Sequence, residues 1–289
     1  MQKINKKKIL IMVILIIAIA FIIVKVTRKD TNTQNDEQTG SSESQETETN
    51  VNTNQENEIN ELEEKLKTGK YLGEDGLPVL MYHFFYDKSK DSGKDGNWIE
   101  ISNFEEQMKY LSENDFYFPT WEQVENYIDG NQELPEKSIV ITVDDGDPSF
   151  FELAVPVIQK YKIPVTSFVI TYWYGDRAKD KQQYVDYESH SYDMHKAGKN
   201  GKGVMLSWDY DKIKDDVLLS SEVLGGANIF CYPFGQYNDL DMKVLKENGY
   251  KLAFTTKAGR VKKSSSKYEL PRVRISGNTS LSEFIKKVE

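Results

Sequence analysis

Cysteine is almost absent from this chain. Cys231 is the only one in 289 residues, so no intramolecular disulfide can form and no multi-cysteine zinc site can be built. Histidine is nearly as scarce: any imidazole chemistry rests on His83, His190 and His195. Positive charge is also short. Against 46 Asp and Glu stand 37 Lys and Arg, a formal net charge of -9, which argues against a nucleic-acid binder because a phosphate backbone must be met by a basic patch. The acidic balance places no bar on a neutral or cationic glycan. Aromatic residues make up 12%, a content that suits sugar rings but serves cores as readily.

Long apolar runs are lacking too, with one exception. Ile9 to Val24 is unbroken, preceded by Lys6, Lys7 and Lys8 and closed by Lys25, Arg28 and Lys29. The run is slightly short of the ~20 residues that span a bilayer, but Val26 and snorkelling lysines extend it. A secretory signal peptide would offer a small-residue cleavage site here, whereas the run ends in Phe21-Ile-Ile-Val-Lys25. Residues 1–29 are therefore expected to be a cytoplasmic tail and an uncleaved transmembrane anchor. The expected localisation is the cell membrane, single-pass, with the remainder extracellular.

Between Asp30 and Asn60 there is no aromatic, no proline and no Lys or Arg. Such a segment buries too little apolar surface to offset the entropy of ordering it. A disordered polar tether is expected over residues 30–75, with a short helix at Glu58 to Lys67 where Ile59, Leu62 and Leu66 recur at helical spacing.

From residue 76 to 289 strands alternate with helices. Leu77 to His83, Ser138 to Val143, Val165 to Ile170 and Ala227 to Tyr232 read as strands; Phe104 to Asn114, capped by Asn103, and Pro148 to Tyr161 read as helices. This alternation implies an α/β fold with a parallel sheet, open or closed into a barrel.

Two places carry chemistry. Asp144 and Asp145 stand where an apolar strand stops at Gly146, and strand C-terminal ends are where sites gather in parallel α/β folds. Asp-Gly is equally a common turn pair. His190 and His195 lie five apart in a polar stretch, a spacing that suits an irregular loop better than a helix face. Neutral imidazole is a common ligand for zinc and similar ions. One acid and two imidazoles make a three-ligand site with a position open for water, and the second acid remains free as a base.

Thr142-Val-Asp-Asp-Gly146 resembles the first motif of the polysaccharide deacetylases with the NodB-homology domain. His190 to His195 resembles their second motif, with the five-residue spacing of the branch that de-N-acetylates poly-N-acetylglucosamine in biofilms. Phe230-Cys-Tyr-Pro-Phe-Gly235 resembles the third, Pro78 to His83 the branch's opening strand, and Leu270-Pro-Arg-Val-Arg274 its closing segment. The resemblance implies a distorted (β/α)7 barrel and a hydrolase removing N-acetyl groups from an amino-sugar polymer. It implies Asp144 as general base, Asp145, His190 and His195 as ligands of one divalent metal ion, and the backbone N–H of Phe234 as oxyanion donor. Zinc is the default ion, with cobalt, nickel or iron also suited to Asp-His-His.

The sequence departs from that family pattern twice. The third motif usually opens with an arginine that pairs with the base, and Cys231 stands there instead. No histidine follows His195, so the family's general acid is missing; His83, at the end of the domain's first strand, is the remaining candidate, with Asp144 returning the proton itself as the alternative. These departures motivate a competing reading as a catalytically weak glycan-binding or cell-envelope module. Trp98, Trp121, Trp173 and Trp208 are candidate sugar-stacking residues that the sequence does not rank.

Overall fold

The computed structural model describes residues 60–198 and 201–289. The expected membrane anchor and the tether as far as residue 59 lie outside these residues. Among the described residues, no helix is long and apolar enough to cross a membrane.

The described strands are β1 (Val79–Tyr82), β2 (Phe84–Tyr86), β3 (Trp98–Glu100), β4 (Val140–Val143), β5 (Val165–Val169), β6 (Val185–Ser189), β7 (Ile229–Cys231), β8 (Leu252–Ala258) and β9 (Leu270–Arg274). β1 and β4 to β9 form a closed barrel of seven strands in that order. Every neighbouring pair runs parallel, including β9 against β1. β2 and β3 form a separate parallel pair.

A closed parallel sheet is buried on both faces, which is why β4 reads Val-Ile-Thr-Val with all four residues buried. Successive side chains point to opposite faces and so feed two cores. One set, including Val79, Val140, Phe168, Ile229, Cys231 and Phe254, packs together with Trp121. The other set, including Leu80, Ile141 and Val143, packs against helical residues such as Phe104, Met108, Ile158 and Phe284. Phe104 meets Tyr82 edge-on at 5.3 Å and Phe85 at 4.9 Å. Truncating an aromatic so enclosed costs about 3–5 kcal/mol.

Several elements differ from the sequence expectation. The helix after β3 spans Ile101–Glu113, and its N-cap is Glu100, whose side chain accepts from the Ser102 N–H. Asn103 therefore lies inside the helix, although Phe104, Met108 and Leu111 do form its buried face. The segment from Pro148 to Tyr161 is a π-turn, Phe150–Ala154, followed by a helix, Val155–Tyr161.

The tether expected to reach residue 75 also needs correction. Residues 60–67 are helical; Leu62 is buried against the core that includes Tyr117, Val124 and Tyr127, and Leu66 packs on the same cluster. Lys65 pairs with Asp115 at 2.6 Å. The folded body therefore starts before residue 76.

The register positions the site. Tyr82 pairs with Val143, and the Asp144 N–H donates to the Tyr82 carbonyl, so His83 and Asp144 leave adjacent strands side by side. The His190 N–H donates to the Val169 carbonyl at the end of β5. The site residues thus meet at the C-terminal rim of the barrel.

Candidate metal and deacetylase site

Asp145 follows the end of β4 with φ 75°, and Gly146 continues the left-handed turn with φ 71°. An aspartate tolerates that region better than most residues, but the conformation still costs on the order of 1–3 kcal/mol. The turn carries the Asp145 carboxylate to His190, which follows β6, and to His195, at the end of the same loop. Its Oδ1 lies 3.3 Å from His190 Nε2 and 3.4 Å from His195 Nε2.

These three residues offer ligand atoms within 4.8 Å of one another. Asp145 Oδ1 is buried and has no hydrogen-bond partner, despite facing both imidazoles. A buried carboxylate oxygen left in that state is costly, and a cation between the three atoms would satisfy it. His190 Nδ1–H donates to the Cys231 carbonyl at 2.7 Å, which turns Nε2 towards Asp145. An oxygen and two imidazole nitrogens suit zinc and its neighbours. The residues fit the ion that the sequence implied.

The two imidazoles shift in opposite directions: burial works to lower His190, but Cys231 and Asp145 outweigh it and hold it well above its usual value. Burial, and then His190, lowers His195 to about 4, so its imidazole is neutral and free to ligate near neutral pH. Burial works to raise Asp145, but the proximity of His190, with His195, outweighs it and holds the carboxyl low. Asp144, His190 and Cys231 form a second group with ligand atoms close together. A cation there would face the guanidinium of Arg272, which already occupies both Asp144 oxygens.

From sequence, Arg272 and Arg274 are open between pairing with an acid near the site and simply sitting on a strand; the structure decides for Arg272. Arg272, on β9, is 1% exposed. Nη1 donates to Asp144 Oδ1 and Nη2 to Asp144 Oδ2, each at 2.7 Å. The remaining donors go to Thr142 Oγ1, the Thr255 carbonyl and Cys231 Sγ. All five N–H groups of the fork are used. Burial alone would raise Asp144, but Arg272 holds it well below the usual carboxylate range, aided by His83 and His190. The Cys231 thiol also donates to Asp144 Oδ2, at 3.6 Å. Cys231 supplies no charge of its own, as expected; the charge arrives from a different strand.

His83 Nε2 lies 3.8 Å from Asp144 Oδ2. Burial lowers the His83 pKa, against the pull of Asp144 and Asp145, so the ring is neutral near pH 7. Phe234 sits in the turn Pro233–Gly235 with φ 59°, and its ring is 4.3 Å from that of His195. Gly235 allows this turn: a Cβ there would stand 2.2 Å from Thr256 Oγ1 and 2.7 Å from the Thr256 backbone nitrogen. The structure brings all six residues singled out from sequence, namely His83, Asp144, Asp145, His190, His195 and Phe234, to one rim.

The loop between His190 and His195 is held from behind. The Tyr192 and Asp193 N–H groups donate to Asp216 Oδ1 and Oδ2 at 2.7 and 2.8 Å. The Ser191 hydroxyl accepts from the Met194 N–H. Asp216, on the helix Tyr210–Val223, is a residue that sequence reasoning missed.

With this geometry in hand, similarity to known proteins is informative. The polysaccharide deacetylase profile matches residues 131–253, the stretch that holds Asp144, Asp145, His190, His195 and Phe234. A poly-beta-1,6-N-acetyl-D-glucosamine N-deacetylase of Staphylococcus aureus is 30% identical over 212 residues, covering 67% of this chain and 72% of the relative. The chain belongs to the polysaccharide deacetylase family. It is accordingly a deacetylase enzyme. A Staphylococcus epidermidis relative of the same description is 28% identical, covering 62% of this chain and 68% of its own. Among solved structures, IcaB from Ammonifex degensii superposes with a TM-score of 0.63 at 26% identity, covering 76% of this chain and 98% of that one. The Streptococcus pyogenes deacetylase PplD, in complex with acetate, shares the fold with a TM-score of 0.63 at 23% identity, covering 74% and 98%.

Proposed function

We propose that this deacetylase removes N-acetyl groups from poly-N-acetylglucosamine, using one divalent ion held by Asp145, His190 and His195. The observation that carries the reading is the buried, unpartnered Asp145 Oδ1 facing two imidazole nitrogens, beside a second carboxylate, Asp144, that Arg272 holds outside that trio. The substrate class follows the staphylococcal and Ammonifex relatives; peptidoglycan is the next polymer to consider.

An ion bound there, zinc by default, would supply Lewis acidity that polarises the acetyl carbonyl and brings the pKa of the attacking water towards ~7. Asp144 is the general base. Arg272 keeps it ionised and fixes its orientation, so it waits as a carboxylate with lone pairs left to accept the water's proton. A base held this low accepts a proton only from an acidified water, which is why the two acids must be neighbours. The Phe234 N–H donates to the oxyanion as the carbonyl becomes tetrahedral. His83 is the group that passes the proton on to the leaving nitrogen: it is neutral at rest, and its Nε2 lies 3.8 Å from Asp144 Oδ2, a gap that a small approach on substrate binding closes. The C–N bond then breaks, giving a free amine on the sugar and acetate.

We place the enzyme at the outer face of the cell membrane, on the basis of the basic-flanked apolar run from Ile9 to Val24. Arg272 makes good one of the two departures that favoured a weak glycan-binding module, which leaves that reading with less support. Acetate release from matched oligomers of poly-N-acetylglucosamine, peptidoglycan and chitin tests the assignment. The first should be the best substrate by kcat/KM; a clear preference for either of the others would replace the proposed polymer.

A further inference from the structure

Six large apolar side chains are exposed among the described residues, and three of them, Tyr172, Trp173 and Phe234, surround the metal-facing loop. Of the four tryptophans, Trp173 alone is exposed, at 47%. Trp121 packs on Phe254 and donates its indole N–H to Thr166; Trp98 stacks on Phe84, and Lys212 lies over Trp208. The Trp173 ring is 6.1 Å from the ring of His195, and the Phe234 ring is 4.3 Å from it. His195 is thus flanked by two exposed aromatic rings.

The placement of Trp173 is fixed by backbone. It lies in the first turn of the helix Thr171–Ala178, directly after β5. The Thr171 and Tyr172 N–H groups donate to the Ser191 and Tyr192 carbonyls at 3.1 and 3.0 Å. The start of that helix is therefore tied to the loop that carries His190 and His195, and any shift of the metal-facing histidines would carry the indole with them. Tyr172 is held in the same way, edge-on to Tyr192 at 5.4 Å with the Lys196 ammonium over its ring.

We infer that Trp173 is the platform on which a pyranose ring of the acetylated amino-sugar polymer stacks beside the metal site, with Phe234 as the facing wall. A single exposed indole is ordinary, but three exposed aromatic side chains gathered around one loop mark a binding surface. A pyranose offers a flat apolar face of C–H groups and a polar edge. Aromatic rings meet the first, while ammonium, phenol and carboxylate groups such as Lys196, Tyr192 and Asp193 line the surroundings for the second. An aliphatic protein partner would call for a patch without this density of charge. The inference rests on the deacetylase reading for the identity of its ligand, and it adds the residue that selects a sugar chain over a small acetyl donor.

The test compares Trp173→Ala and Trp173→Phe with the wild-type protein carrying one equivalent of zinc. Acetate release is measured on N-acetylglucosamine pentasaccharide and on a small activated acetyl ester, and pentasaccharide binding is followed by calorimetry. Trp173→Ala should raise KM for the pentasaccharide at least tenfold, with a smaller effect on kcat. The loss of kcat/KM on the pentasaccharide should exceed the loss on the ester at least tenfold, and Trp173→Phe should recover most of it. Equal losses on both substrates, or an unchanged KM on the pentasaccharide, would overturn the platform. If the wild type releases no acetate yet binds the pentasaccharide in a manner that Trp173→Ala abolishes, the deacetylase reading falls while the platform stands.

Discussion

Arg272 and Asp144 form a doubly hydrogen-bonded ion pair across the barrel, with both contacts at 2.7 Å and both side chains essentially buried. A pair so enclosed contributes less by its own attraction than either partner costs when left alone. Arg272→Met should therefore destabilise the metal-free domain by about 3–5 kcal/mol, because Asp144 would remain charged and unpaired. Adding Asp144→Asn to Arg272→Met should recover a large part of that loss. Denaturant titration of both single variants and the double variant checks this, and strictly additive losses would contradict the pairing.

The distance between those partners explains what could be read from sequence. Asp144-Asp145-Gly146 and His190/His195 were legible because ligation and base catalysis require particular residue types at a strand end and in a polar loop. Arg272 was legible only as one of two arginines open between pairing with an acid and sitting on a strand, since 128 positions separate it from Asp144 and the contact exists only because β9 closes the barrel against β1. Its one sequence signal was an arginine in the middle of a strand otherwise reading as buried. Asp216 was hidden for a similar reason: its hydrogen bonds go to backbone N–H groups, which any residues at 192 and 193 would offer. Trp173 could not be told from three other tryptophans because exposure is a tertiary property. The cap at Glu100 was missed because Asn103 is the better capping residue by type, while the packing of Ile99 and β3 starts the helix earlier.

Metal binding should stabilise the fold through the three residues assigned to it. A ligand present at 100 times its dissociation constant adds about 2.7 kcal/mol to a folded state that alone binds it. Zinc should raise the melting temperature of the wild-type domain, and a chelator should reverse the shift. His190→Ala and Asp145→Asn should each remove the shift and the acetate release together. A zinc-dependent shift that survives in either variant would place the ion elsewhere.

Asp216 should govern metal affinity without touching the ion. Asp216→Ala frees the Tyr192 and Asp193 N–H groups and loosens the loop between the two histidines. Loss of such an outer support lowers metal affinity by about 10–100-fold. Competition titration against a chromogenic chelator reads this directly, and an unchanged dissociation constant would reduce Asp216 to a purely structural residue.

Asp241 should impose a pH dependence on stability. Burial raises its carboxyl from the ordinary 3.8 to about 6, although the Asn238 N–H donates to Oδ2 and works the other way. Its Oδ1 is buried without a partner. The folded state therefore holds this proton more tightly than the unfolded chain, so its contribution is present below pH 4 and lost as pH rises through 6. Asp241→Asn should remove that decline between pH 4 and 7 and be more stable than wild type at pH 7.5, by on the order of 1–2 kcal/mol. Melting temperatures across pH 4–8 check the slope; parallel curves for the two proteins would contradict it.

The account depends on Asp145, His190 and His195 holding an ion beside a free base, Asp144. The most direct measurement is acetate release from poly-N-acetylglucosamine oligomers by wild type and Asp144→Asn, each carrying one equivalent of zinc confirmed by elemental analysis. The wild type should release acetate, and Asp144→Asn should be slower by roughly 10²–10⁴-fold at equal zinc content. Equal rates in the two proteins, or a fully loaded wild type that releases no acetate from any amino-sugar polymer, would contradict it.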